Sequence, residues 1–343
     1  VAPNTLGDLS SFATRYTYRE LDQWDSCRGP SYKAGPLRAN RLEELHAKLN
    51  PVFLAISALD EDVDLSLPDR VDLAPYIPLD SLQRDIMRAL QYATAEREIN
   101  PREHQAACRG EKGDLAQIGA EGATMNAQSL GVRIEQLSIS PALFSSRFSE
   151  LYPEYEAPKT AFIADAVARY LSEEGGAAVV FSEHLGGLDE MERALYRRGF
   201  TSEDLRFYTG ATSESRRREA ARVLNEGGCK VLLGQTKALE TGANLQHRAG
   251  FVAHLSTPWS PDTLAQSTAR VYRQGQKRRV IVLRPSGSRI EEAKNAALTR
   301  KLIQSGASTG LYSEADLAIM NTAADPRIRR AHRDMSFKMG YTA

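Results

Sequence analysis

Cysteine is scarce and odd in number: Cys27, Cys108 and Cys229 lie far apart in a chain of 343 residues. That excludes a disulfide framework. The six histidines are scattered, and no Cys or His pair has zinc-ligand spacing, so no metal site is expected. No stretch approaches the roughly 18 apolar residues a membrane-spanning helix needs, and no signal-peptide pattern opens the chain, so no membrane partner is expected. An excess of one charge is missing too, since 44 basic residues face 44 acidic ones. Global charge therefore gives no sign of a polyanionic partner. Internal repeats and low-complexity tracts are absent. So is any Gly-x-x-x-x-Gly-Lys-Ser/Thr loop, which leaves the chain without a phosphate cradle of that kind.

What remains is the balance of an ordinary globular protein, 42% hydrophobic and 26% charged. The length suffices for two compact units, or for one large domain with helical additions. The first residue is Val1, not Met, and the segment after it reads like the middle of a domain, so a fragment of a longer protein is expected. Local charge is uneven: Arg270, Arg273, Lys277, Arg278, Arg279, Arg284 and Arg289 crowd one segment. Such a run is ordinarily a solvated face, but in a chain of balanced charge it also suits phosphate.

From about residue 177 onward, short apolar runs alternate with helical patterns. Strands are expected at 177–181, 205–208, 229–233, 251–255 and 280–283, which predicts an α/β fold with a parallel sheet covered on both faces. Phe162, Ile163, Ala166, Val167, Tyr170 and Leu171 make one helical stripe before the first strand. Ser260 at an N-cap, Pro261 at the first helical position and Gly275 beyond the end mark a helix between the last two strands. Residues 1 to about 150 hold helical pieces, such as 40–49 and 79–96, and little strand signal. Residues 325–338, with Arg327, Arg329, Arg330, Arg333 and Lys338, suit a brace helix or a basic tail.

The strongest chemical signal is Gln266-Ser-Thr-Ala-Arg270-Val-Tyr-Arg273-Gln-Gly275-Gln276. Arg270 and Arg273 lie three apart on the helix opening at Pro261, so they are expected to project from one face, with Gln266 a turn earlier. Two guanidinium groups so placed can hold the oxygens of a terminal phosphate during transfer. Arg-x-x-Arg alone arises often by chance; the glutamine before it, the Gly-Gln after it and the flanking strands give it weight.

That segment resembles the sixth motif of helicase superfamily two, in the form used by Swi/Snf-type DNA translocases. Val179-Val-Phe-Ser-Glu183 resembles the fourth motif. Tyr208-Thr-Gly210-Ala-Thr212 with Arg217 resembles the block after it, Thr236-Lys237-Ala-Leu-Glu-Thr-Gly242-Ala-Asn244-Leu245 the fifth motif, and Pro258-Trp259-Ser260-Pro261 the Trp-Asn-Pro element. Upstream, Asn4 to Leu9 resembles the end of a first lobe, Phe53-Leu54 through Leu67-Pro68 a segment before a conspicuous Leu-Pro, and Pro158-Lys159 the entry to the second lobe.

The resemblance implies a RecA-like lobe at 157–310, the end of a first motor lobe plus a helical insertion at 1–156, and a helical extension or brace at 311–343. It implies that Arg270, Arg273 and Gln266 are catalytic and that Gly242 and Glu240 stand with the two arginines at the nucleotide. Ser182, Gly210, Thr212, Arg217, Thr236, Lys237, Asn244 and Trp259 are implied as DNA contacts. ATP with Mg2+ would be the cofactor, the Mg2+ held by an absent first lobe, so this chain alone should not hydrolyse ATP. Double-stranded DNA, the missing N-terminal lobe and further subunits are the implied partners, in an intracellular setting, nucleus or cytoplasm and nucleoid.

The departures are also legible. Leu239 and Glu240 stand where the family often has paired glycines, and Ala55, Ile56 and Ser57 where it often has basic residues. Leu59-Asp60-Glu61 mimics a magnesium-holding pair, but it follows the first-lobe remnant and leads into Leu67-Pro68, so it is not read as one. Two rival readings stay open: a strand-separating DNA or RNA helicase of the same superfamily, and a non-catalytic nucleic-acid-binding module.

Overall fold

The computed structural model describes residues 9–25, 29–37, 41–49, 67–124, 127–239 and 242–298. The segments at 4–8, 53–61 and 311–343 singled out above, and Glu240, lie outside the described residues. The chain divides into two compact units, one of Val1–Leu65 with Ala296–Ala331 and one of Ser66–Asn295 with His332–Ala343.

In the first unit, helix α1 (Leu9–Tyr16) leads into an antiparallel hairpin of β1 (Thr17–Asp25) and β2 (Gly29–Leu37), followed by α2 (Leu42–Leu49). Buried Tyr16 donates its hydroxyl to Glu44 at 3.1 Å, and Arg15 pairs with the same carboxylate at 2.6 Å. The hairpin corrects the expectation of little strand in this region. Tyr18, Leu21 and Trp24 recur every third residue, a helical spacing, so β1 lacks the period of two, and Pro30 and Pro36 count against β2 as a strand.

The second unit is built on one all-parallel sheet in the order β3-β8-β7-β4-β6-β5. Its strands are β3 (Arg70–Leu73), β4 (Ala177–Ser182), β5 (Leu205–Tyr208), β6 (Val231–Gln235), β7 (Ala249–His254) and β8 (Val280–Leu283). Every residue of β4 and β7 is buried, which explains why these strands read as unbroken apolar runs. One face packs against α8 (Pro158–Glu173) and α9 (Leu185–Arg197) through Ile163, Val167, Leu188 and Leu195. The other is covered by α10 (Glu214–Glu226) and α11 (Thr236–Leu239), with Leu224, Leu239, Leu245 and Val271 in its core.

The five expected strands are present. The sixth, β3, lies far upstream of residue 157, where the lobe was expected to begin, and pairs in register with β8 from Arg70↔Val280 to Leu73↔Leu283. Only four residues long and mostly solvent-facing, it carries no apolar run to announce it. Between β3 and β4 the chain forms α3 (Ser81–Ile99), α4 (Pro101–Cys108), α5 (Asp114–Gly122), α6 (Ala127–Ile139) and α7 (Ser146–Leu151) around Leu79, Ile86, Ile118, Leu137 and Phe148. Asp80 and Gln83 close a capping box at the start of α3. Helices α3 and α5 approach so closely that a Cβ at Gly119 would stand 2.6 Å from the Ala89 carbonyl carbon, so only glycine fits there.

Candidate functional site

Helix α12 (Pro261–Thr268) begins as expected: the Ser260 hydroxyl accepts the Thr263 N–H at 3.4 Å, and Pro261 occupies the first turn. It ends at Thr268, before either arginine, which corrects the placement of Arg270 and Arg273 on one helix face. Two local forces stop it. The hydroxyls of Ser267 and Thr268 donate back to the Leu264 carbonyl at 2.9 and 3.0 Å. Val271 is then drawn into the core of the sheet, while the Val271 and Tyr272 N–H groups both donate to the Thr268 carbonyl at 3.0 Å. The arginines therefore ride on a loop closed by Gly275, whose φ of +91° suits a residue without a side chain.

Buried Gln276 locks that loop. Its amide donates to the carbonyls of Ala249 (2.8 Å) and Val271 (3.0 Å), and its oxygen accepts the N–H groups of Lys277 (2.9 Å) and Arg278 (2.8 Å). All four hydrogen-bonding positions of the side chain are used. Arg273, on the exposed side of the loop, donates to the Asn244 side-chain oxygen. The Asn244 carbonyl accepts from Asn225 at the end of α10 at 2.7 Å. The Arg270 carbonyl receives the Leu245 N–H at 3.0 Å, tying the loop to the fifth-motif segment a second time.

Beside this loop opens a cleft of about 460 Å³, lined in part by Tyr208, Arg217, Arg222, Gly242 and Asn244. Arg217 lies over the Tyr208 ring at 5.8 Å from its centroid. Arg222 is neutralised by Glu219 and Glu226. Among the described residues, no carboxylate pairs with Arg217 or Arg273, so these two guanidinium groups leave the cleft positive. Arg217 and Asn244, expected on the DNA side, thus stand with Gly242 and Arg273. Gln266 is exposed on α12, and among the described residues no hydrogen bond joins it to either arginine.

The remaining expected contacts follow the carboxyl ends of β4 to β7, the edge at which open parallel sheets bind ligands. The Gly210 N–H donates to the Gln235 side chain at 3.0 Å, and the Thr212 hydroxyl bonds Thr209 at 3.0 Å. Lys237 and Trp259 are exposed. Thr236 is buried and its hydroxyl has no hydrogen-bond partner among the described residues. Ser182 is fully buried, donating to the His184 carbonyl at 2.8 Å and accepting the His184 N–H at 3.0 Å, so its hydroxyl shapes the turn after β4.

Sequence reasoning missed a buried charge cluster at this edge. Lys159 pairs with Glu291, and Lys294 with Glu135 at 2.9 Å, all four side chains nearly inaccessible. A signal existed for Lys159, which lies four residues before Ile163 and eight before Val167, on the apolar stripe of α8. His184 sits among these charges. Burial first, then Lys294, Lys159 and Arg133, push its pKa down to about 4.

Comparison with known proteins agrees with this geometry. The model for the helicase conserved C-terminal domain matches residues 159–275. The ISWI chromatin-remodeling complex ATPase ISW2 of Saccharomyces cerevisiae is 27% identical over 252 residues, covering 71% of this chain and 20% of that protein. The DNA repair protein RAD5B of Arabidopsis thaliana is 38% identical over 111 residues, 32% of this chain and 8% of that protein. The chain thus spans a fifth or less of the length of these two relatives. The crystal structure of the C-terminal part of the Fun30 ATPase domain superposes with a TM-score of 0.51 at 16% identity, covering 67% of this chain and 89% of that one. An all-parallel RecA-like sheet with ordered helicase motifs on its loops, and residues 159–275 matching the helicase conserved C-terminal domain, make this unit similar to the C-terminal lobe of Swi/Snf-type proteins of helicase superfamily two.

Proposed function

We propose that this chain is the second motor lobe of an ATP-dependent double-stranded DNA translocase or remodeller. The observation that carries the reading is the arginine loop. Arg273 is presented by Asn244 from a loop that Gln276 locks, beside a positive cleft with Arg217 and Gly242. An arginine finger must be held still and short of counter-charge to meet phosphate as negative charge spreads over it.

In this reading Arg270 and Arg273 complete an ATP site whose phosphate-binding loop and Mg2+ ligands belong to a first lobe. ATP supplies the transferable phosphoryl group. Gly242 leaves open space at the cleft, where a Cβ would meet nothing within 4 Å, so backbone can approach a bound group. Gln266 serves as a neutral donor from α12, and Glu240 stands at the same motif. Lys237, Thr212, Thr236 and the Gly210 backbone hold the DNA backbone without reading sequence. Trp259 meets the groove or backbone as the aromatic of the Trp-Asn-Pro element. Closure of the two lobes on ATP and their opening after hydrolysis would step the protein along one strand of an intact duplex. The setting implied is wherever such duplex is handled inside a cell.

A triplex-displacement assay on the two-lobed protein tests the class. Expected is ATP-dependent removal of a third strand with no unwinding of a forked duplex. Unwinding of the fork would instead make it a strand-separating helicase. Loss of ATP dependence in both assays would leave a non-catalytic binding module.

A further inference from the structure

Trp259 is half exposed, and one face of its indole is closed by a side chain from near the end of the described chain: the Lys294 ammonium stands 4.5 Å from the ring centroid. Lys294 is itself only 2% exposed. It donates to both carboxylate oxygens of Glu135, at 3.1 and 2.9 Å, and lies 3.8 Å from Glu183. Glu135 also accepts the Thr257 N–H at 3.3 Å, two residues before the tryptophan. Three separate segments, α6, the helical run at 289–298 and the segment after β7, therefore converge on one indole.

An ammonium buried this deeply needs charge partners, and Glu135 with Glu183 supplies them. Those partners also fix where the ammonium stands, and from there it attracts the face of the ring. The opposite, open face of Trp259 is what a ligand would meet. We propose that Lys294, clamped by Glu135, is a positioning residue that sets the posture of Trp259 for its contact with duplex DNA. The inference rests on the functional reading above for the ligand, but not for the seating of the ring.

The chain has two tryptophans, so Trp24→Phe leaves Trp259 as the sole emitter. In that background we expect Lys294→Met to raise acrylamide quenching and lower the anisotropy of Trp259, with Lys294→Arg holding both near the parent values. Because Lys294→Met leaves Glu135 buried without its partner and threatens folding, Glu135→Gln/Lys294→Met is measured beside it and should loosen the ring equally. Duplex affinity, read by fluorescence polarisation of a labelled oligonucleotide, should weaken about fivefold in the double variant, the scale of a lost cation–ring contact. In a Trp259→Ala background the same pair of substitutions should change affinity little. An unchanged quenching constant in the folded double variant, or an affinity loss that persists undiminished in the Trp259→Ala background, would overturn the proposal. A parent chain that ignores duplex DNA would sink the functional reading instead, while quenching would still decide whether Lys294 seats the ring.

Discussion

Gln276 shows how much of a motif can be structural. Its four hydrogen bonds hold Ala249, Val271, Lys277 and Arg278 around one buried amide. Replacing it by Leu keeps the volume and strands those four backbone groups. A loss of about 3 kcal/mol is predicted, since the two buried carbonyls cost on the order of 1 kcal/mol or more each and the two N–H groups of exposed residues less. Urea denaturation measures it; a midpoint within error of wild type would contradict the account. In sequence, Gln276 was only the last letter of a motif, because a residue's partners 27 positions away leave no trace in its neighbours. Ser182 shows the same lesson at a strand end: a serine there suits phosphate and an internal turn equally well, and its bonds to the His184 backbone leave no trace in the sequence.

Lys159 and Glu291 join α8 to the helical run at 289–298 through a buried pair, with the Ser138 hydroxyl 3.3 Å from the ammonium. Lys159→Met should cost about 3–5 kcal/mol by leaving Glu291 unpaired, whereas Lys159→Met/Glu291→Gln should recover most of it. Thermal melts of the wild type and the two variants decide the matter; equal losses in the single and double variants would mean the pair is not the link. At this scale the sequence was legible wherever burial is two-sided: β4, β7 and the stripe of α8 stand out from composition alone. It was not legible for β3, which is held by pairing with β8 and not by an apolar run, nor for the end of α12. There the pull of Val271 into the core and the back-bonding hydroxyls of Ser267 and Thr268 override a helix that spacing alone would have continued to Arg273.

Across the sheet-bearing unit, two histidines are held neutral. Burial lowers the pKa of His254 to about 3, aided by Arg284 and Arg70, and that of His184 to about 4. An unfolded histidine takes up a proton near pH 6.5, and the folded ones do not until far lower pH. The unfolded state thus binds more protons between these limits, so stability falls as pH drops from about 6.5 toward 4, by up to about 1 kcal/mol per pH unit for each histidine. Urea midpoints at pH 7 and pH 5 should show the fall, and it should be shallower in His254→Leu; parallel slopes would contradict the assignment. The central claim, however, concerns the arginine loop. It is tested most directly by the ATPase rate of the two-lobed protein with and without duplex DNA, beside Arg273→Ala. The account predicts DNA-stimulated turnover that falls by about a thousandfold or more in the variant. Turnover in the variant equal to wild type, or no stimulation by duplex in either, would contradict it.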